Sequence, residues 1–449
     1  MAALIVYAAL GLKIAPFHGD EAMHIYTSKD YTTVFIDHEL QSLPVNPPYD
    51  IDGDARLRLL NGSVMRYSVG FLMQLNGLTQ QDLPPRPGWD WGLHYADDVA
   101  TGHMPSDALL TAGRTAALLY FAVSIIAMFG IGWQFGGRWV AYLASALYTL
   151  NPIILVNGRR ALVESALLAF GLLTIWVALQ IAKQLTPPPN PFPAGKEGKK
   201  SIRKSLWGWW IALTISSALT LVSKYSGTIF IAGAFGGIFI AEVVCVFRAR
   251  NQYGSLISST SKLIVSGLLA LVLTVALSPA LWNDPVSRVK DLAQMLNEQV
   301  TIVVSILSPE APTTIPQRVE GMVTQPFLTP VAYFEQASWG EAQPVLDSIK
   351  AYETSPLSGL PVNAVLGVIL TLLAAVGLVA TVWSRIRPYE SWSLSVVLLI
   401  WLLITLLNLL INPLPWQRYY LPLIPIDTLL AAIGVTSIIK LLRPPNTQA

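Results

Sequence analysis

The chain has 449 residues, of which 53% are hydrophobic and only 12% charged, with a mean hydropathy of +0.52 and a formal net charge of +2. Soluble domains carry roughly 25% charged residues, so the composition excludes a soluble enzyme with an added anchor and points to an all-α polytopic membrane protein. The near-neutral balance argues against a nucleic-acid partner, and a single cysteine, Cys245, excludes an internal disulfide or a thiolate metal site.

In chain order, about ten apolar spans are expected, with eleven as the upper count. They are 2–17, 107–135, 138–157, 161–183, 207–222, 225–247, 263–282, 361–383, 392–411 and 419–440. The first is short for a crossing of about 20 residues. It also lacks the basic flank and cleavage site of a removable leader, so the expectation is a start upstream of Met1 or a helix tilted or partly outside the lipid. Two long segments, 18–106 and 283–360, are too polar to cross lipid. This gives an expected division into a catalytic transmembrane module (1–282, including outer loop 18–106), an outer loop (283–360) and C-terminal transmembrane helices (361–449).

Charge sets the orientation. The linker 184–206 carries Lys196, Lys199, Lys200, Arg203 and Lys204, and short basic connections stay inside. The N-terminus is then inside, and both long loops face outward: periplasm, cell exterior or lumen, with a bacterial-type plasma membrane the expected host. Within these loops, Leu57–Leu78 and Pro285–Leu307 have amphipathic spacing. They read as helices lying along the membrane, with Arg56, Arg58 and Arg66 near headgroups, or as packed helices of a small outer domain.

Charges near membrane depth are costly and are usually paired or functional. Asp20 and Glu21 follow the first span. Arg159, Arg160 and Glu164 lie between two spans, Lys224 at the next outer turn, Arg418 at the start of the last span, and Arg114 near the outer end of the second. All fall on the outer side. Each has an ordinary alternative: a snorkelling Arg159, Arg160 or Lys224, an i,i+4 pair between Arg160 and Glu164, an interfacial belt around Arg418. Their convergence on one face is harder to explain that way. Asp50, Asp52 and Asp54 resemble a calcium-loop fragment but lack the required glutamate in register, so a solvated turn is favoured and no metal is assigned. No HExxH, P-loop or GxGxxG occurs, and no cofactor is implied.

Cations gathered opposite an acid suit transfer of a sugar from a polyprenyl-phosphate carrier. The leaving phosphate gains charge, which Arg and Lys stabilise. The acceptor hydroxyl needs a base, which a carboxylate supplies, and a single displacement inverts the anomeric centre.

Four places in the sequence resemble the GT-C superfamily of membrane glycosyltransferases, in the branch of the dolichyl-phosphate-mannose protein mannosyltransferases and the aminoarabinose transferases. They are Gly19-Asp20-Glu21-Ala22; the run from Gly137-Arg138-Trp139 through Asn151-Pro152 to Arg159-Arg160-Ala161-Leu162-Val163-Glu164; Lys224-Tyr225; and Arg418-Tyr419-Tyr420-Leu421-Pro422-Leu423-Ile424-Pro425. The His-Pro-Pro-Leu motif of many bacterial members is missing, and the 283–360 loop is too short for a β-trefoil. The resemblance implies a GT-C fold without metal. It implies Asp20 as base, Glu21 assisting or binding acceptor, and Lys224 and Arg418 binding the donor phosphate. Arg159 would take the place of the motif arginine, with Arg160 displaced by one, and Glu164 would orient that arginine. The implied partners are a polyprenyl-phosphate-linked sugar, a protein, glycolipid or glycan acceptor, and the bilayer. Competing readings are a transporter or flippase of a lipid-linked sugar, disfavoured by charges confined to one face and the lack of a repeat, and a non-catalytic scaffold of a glycan assembly complex.

Overall fold

A computed structural model describes residues 1–50, 53–185, 196–249, 253–302, 314–335, 342–361, 363–383, 392–412, 414 and 416–442, with the backbone alone at 185, 196–206, 248–249 and 253–255. Asp52, the proline-rich part of the linker 184–206, the connection 384–391 and the tail after Leu442 lie outside the described residues. Among the described residues the secondary structure is helical, without strands.

The first helix, α1 (Ala2–Leu10), is short. The first long polar segment holds α2 (Gly19–Tyr26), α3 (Lys29–Phe35), α4 (Asp54–Leu60), α5 (Ser63–Leu75) and α6 (Tyr95–Ala100). Next come α7 (Asp107–Leu150), α8 (Pro152–Arg159), α9 (Val163–Leu185), α10 (Lys196–Ser223), α11 (Thr228–Ala249) and α12 (Tyr253–Leu277). The second long polar segment holds α13 (Pro285–Ile302), α14 (Ile315–Thr324) and α15 (Gln343–Thr354). The chain closes with α16 (Ala364–Val382), α17 (Trp392–Ile411) and α18 (Ile424–Leu442).

Among the described residues, seven helices are long and apolar enough to cross a membrane (α7, α9, α11, α12 and α16 to α18), and 207–223 of α10 is a shorter apolar one. This is an integral, multi-pass membrane protein. α7 is two limbs. Gly136 and Gly137 leave helical geometry, Gly137 at φ 64°, in the left-handed region that glycine tolerates. Nine residues of straight helix span about 14 Å, yet a Cβ on Gly132 would lie 2.8 Å from Ala141 Cα. Across the hairpin, Tyr148 donates to Ser124 at 2.9 Å.

Two expected spans are interrupted. Helix α1 stops at Leu10, so 2–17 is not one continuous helix. The span 138–157 breaks at Asn151, which is extended (ψ 121°) because Pro152 follows; its carboxamide then caps α8 by accepting from Ile153 N and Ile154 N at 3.1 and 3.2 Å.

α9 packs against α7, α10 and α11, and α18 packs against α16 and α7, around one continuous apolar core. α16 and α18 meet backbone to backbone at glycines: a Cβ on Gly377 would fall 1.8 Å from Leu430 O, and one on Gly434 2.1 Å from Leu373 O. The stretch Leu57–Leu78 divides into α4 and α5, and its arginines do not reach outward as expected. Arg58 and Arg66 both bind the buried Asp30, at 2.7 and 2.8 Å, because a buried carboxylate needs compensating charge.

Candidate active site

The site grows from α2. His18 caps the helix: its Nδ1 accepts the Asp20 N–H at 3.1 Å, and its own N–H donates to the Glu21 carboxylate at 3.0 Å. That leaves His18 Nε2 to donate to Glu335 Oε2 at 2.8 Å. Arg418 closes the ring, with Nη1 at 2.6 Å from Asp20 Oδ2 and Nε at 3.0 Å from Glu335 Oε1. Asp20 is 27% exposed and opens onto a hollow of about 410 Å³. Burial alone would raise its carboxyl, but Arg418 and His18 outweigh that and hold it below the usual carboxylate range. Glu335 is likewise held low: Arg418 and His18 again overcome its burial.

A second pair faces the same hollow. Lys224, at the extended turn after α10, donates to Glu164 at 2.6 Å, and its ammonium stands 5.6 Å from the Tyr419 ring centroid. Glu164 sits at the start of α9. The i,i+4 pair with Arg160 does not form, because the chain between α8 and α9 is extended at Arg160 (ψ 149°). Glu164 therefore holds Lys224 rather than orienting an arginine. The apolar wall includes Leu57, Leu60, Leu296, Val300 and Leu414, and Trp91, Trp416 and Tyr419 supply aromatic faces.

The remaining expected residues sit behind the hollow. Glu21 is fully buried. It takes a bidentate pair from Arg114 at 2.8 and 2.9 Å and accepts Ala161 N–H at 2.9 Å, which ties α2, α7 and the α8–α9 connection together. Arg159 caps the end of α1, donating to Ala8 O at 2.9 Å and Tyr7 O at 2.8 Å, and reaches the Tyr352 hydroxyl at 2.9 Å. Its guanidinium rests on Gly11, where a Cβ would lie 2.1 Å from Cζ. Arg160 donates to Pro16 O at 2.9 Å and Tyr333 O at 3.1 Å. Neither arginine lines the hollow, so the structure gives them no direct contact with its contents.

The structure thus brings Asp20, Glu164, Lys224 and Arg418 together, and sets Glu21, Arg159 and Arg160 in the supporting frame. Sequence reasoning missed Glu335, His18 and His24. Glu335 lies in a long polar loop without motif spacing, 317 residues from its partner His18. The i,i+4 spacing of Asp20 and His24 was a usable signal for His24. Among the described residues no cluster of three or more His, Cys, Asp or Glu fit to hold a metal occurs.

The helical fold has counterparts among solved structures. Two structures of an oligosaccharyltransferase from Archaeoglobus fulgidus superpose with TM-scores of 0.51 and 0.52, each at 10% identity over 98% of this chain. The fold is of the GT-C type. This chain spans about half the length of these archaeal proteins, which it covers to 50% and 51%. ArnT from Cupriavidus metallidurans also aligns, at 12% identity over 97% of this chain and 59% of its own, with a TM-score of 0.48. In sequence, residues 109–282 match the family model of dolichyl-phosphate-mannose-protein mannosyltransferases, so the resemblance to that branch holds over α7 to α12. No curated protein matches the chain in sequence.

Proposed function

We propose that this chain is an inverting glycosyltransferase that moves a monosaccharide from a polyprenyl-phosphate carrier to an acceptor hydroxyl on the outer face of the membrane. The single observation that carries the reading is one hollow onto which a carboxylate, Asp20, and two cations, Lys224 and Arg418, all open. The match to a mannosyltransferase family model supports it. So does the fold shared with an archaeal oligosaccharyltransferase solved with a dolichol-phosphate and an inhibitory peptide.

In this reading the carrier phosphate sits against Lys224 and Arg418, and the prenyl chain runs along the leucine and valine wall. The acceptor oxygen attacks the anomeric carbon, the bond from that carbon to the phosphate oxygen breaks, and the acceptor proton passes to Asp20. The phosphate leaves with added negative charge, which the two cations neutralise in a site partly shielded from water. Its low basicity makes a protein acid unnecessary. One displacement gives inversion. Glu164 holds Lys224 toward the hollow, while Glu21, Arg159 and Arg160 brace the frame. The transfer needs no cofactor. The basic short connections support an outer-side location for the hollow, and a bacterial-type plasma membrane is the proposed host.

The test uses purified protein, a panel of polyprenyl-phosphate sugars and candidate acceptors. Release of polyprenyl phosphate, with a product of inverted anomeric configuration, is expected. A chain that releases no carrier from any donor, yet moves an intact lipid-linked sugar between leaflets of a vesicle, overturns the enzyme reading in favour of a flippase.

A further inference from the structure

One residue of the hollow has no role in the scheme above. His24 lies four residues beyond Asp20 on α2, on the same face of the helix. Its side chain is only 7% exposed and lines the hollow. Asp20 and Glu335 share Arg418, and Glu164 holds Lys224. By contrast, neither ring nitrogen of His24 is hydrogen-bonded to another described residue, whereas its backbone lies in helix α2 and its backbone oxygen also accepts from Thr27 Oγ1 at 3.1 Å. Buried polar groups are almost always hydrogen-bonded, and one left free at the wall of a cavity marks a place where a ligand completes it.

The chemistry of the ring narrows the ligand. Burial pushes the imidazole down to about 4, against the pull of Asp20 and Glu164 in the other direction. The ring is therefore neutral, with one N–H donor and one acceptor lone pair. A neutral ring brings no charge to the phosphate, which Lys224 and Arg418 serve. It matches a group that both gives and takes a hydrogen bond, namely a hydroxyl. Its position matches too: it is within electrostatic reach of Asp20 and also of Glu164 and Lys224. A sugar joined to a phosphate at Lys224 and attacked from the Asp20 side lies between those two points.

We propose that His24 binds a hydroxyl of the sugar carried by the donor, and so reads which sugar is accepted. This rests on the reading of the hollow as a donor site. The test is a binding measurement on the full chain in detergent or nanodiscs, which separates the two. Trp91 and Trp416 line the hollow and report occupancy by fluorescence. The chain is titrated with bare polyprenyl phosphate and with polyprenyl-phosphate mannose, glucose and N-acetylglucosamine. The parent is expected to bind at least one sugar-bearing lipid more tightly than the bare carrier. His24→Leu should shrink that preference about tenfold while leaving affinity for the bare carrier unchanged, and His24→Asn, which keeps a donor and an acceptor, should retain part of it. The inference is overturned if His24→Leu keeps the parent's preference, if it weakens both lipids equally, or if the parent shows no preference. A parent that binds the bare carrier but fails one of these points leaves the donor reading standing without His24. A parent that binds no lipid of the set removes both.

Discussion

At Asp20 the carboxylate meets Arg418 at 2.6 Å and still opens to the hollow, whereas one residue later Glu21 is sealed against Arg114 at 2.8 Å. Adjacent positions on a helix point about 100° apart, so neighbouring acids take up different work. Asp20→Asn is expected to cut transfer about a hundred- to ten-thousand-fold, the range for a lost general base, with a smaller loss of thermal stability than at Glu21 because Glu335 still pairs Arg418. Glu21→Gln should instead cost about 3–5 kcal/mol of stability, because it leaves Arg114 buried without its counter-charge; unfolding midpoints measure this, and Glu21→Gln with Arg114→Gln should recover part. The pH profile follows from the depressed Asp20 carboxyl. A base works when ionised, so a lowered value keeps kcat/KM flat from neutral pH down to about 4, the ordinary aspartate value, with the fall coming only below it. Arg418→Gln removes the cation that holds the carboxyl down, and the acid limb should move to higher pH whatever the height of the plateau. Asp20 was legible because an acid just past an apolar run is conspicuous. The places of Arg159 and Arg160 were not, since their partners are backbone carbonyls such as Ala8 O and Tyr333 O, which carry no sequence signal.

At the scale of elements, long apolar runs made the spans readable, and the turn at Gly136 and Gly137 fell where the two limbs were expected to part. The break at Asn151–Pro152 was also written in the sequence, because proline restricts the residue before it to extended geometry, but apolar residues on both sides masked it. What hydropathy cannot reveal is which faces meet. Gly377 and Gly434 looked like any glycines within apolar runs, yet they let α16 and α18 touch backbone to backbone. Gly377→Leu or Gly434→Leu should push these helices apart, at about 1–3 kcal/mol or more, seen as a lower unfolding temperature in detergent.

Across the whole molecule, the expected division at residue 282 is crossed by the site itself. Glu335 meets His18, Tyr352 meets Arg159, and α17 packs along α11. A fragment ending at 282 is therefore expected not to fold alone, and co-expression with 283–449 should restore a stable complex, measured by gel filtration of the purified pair. The convergence of these charges at one end of the helices was legible from the order of the apolar spans. The closure of one long loop onto the other was not, because contacts between residues 18 and 335 leave no periodic trace in a single sequence.

The salt bridge from Arg418 to Asp20 joins residues 398 positions apart. A ribosome feeding this chain into a bilayer releases Asp20 first and supplies its cation only after nearly every later span has been threaded. Until then the carboxylate lacks its guanidinium partner and its hollow lacks a wall. A product cut short before Arg418 would carry the acid without the guanidinium that holds it, so the site is completed only late in synthesis.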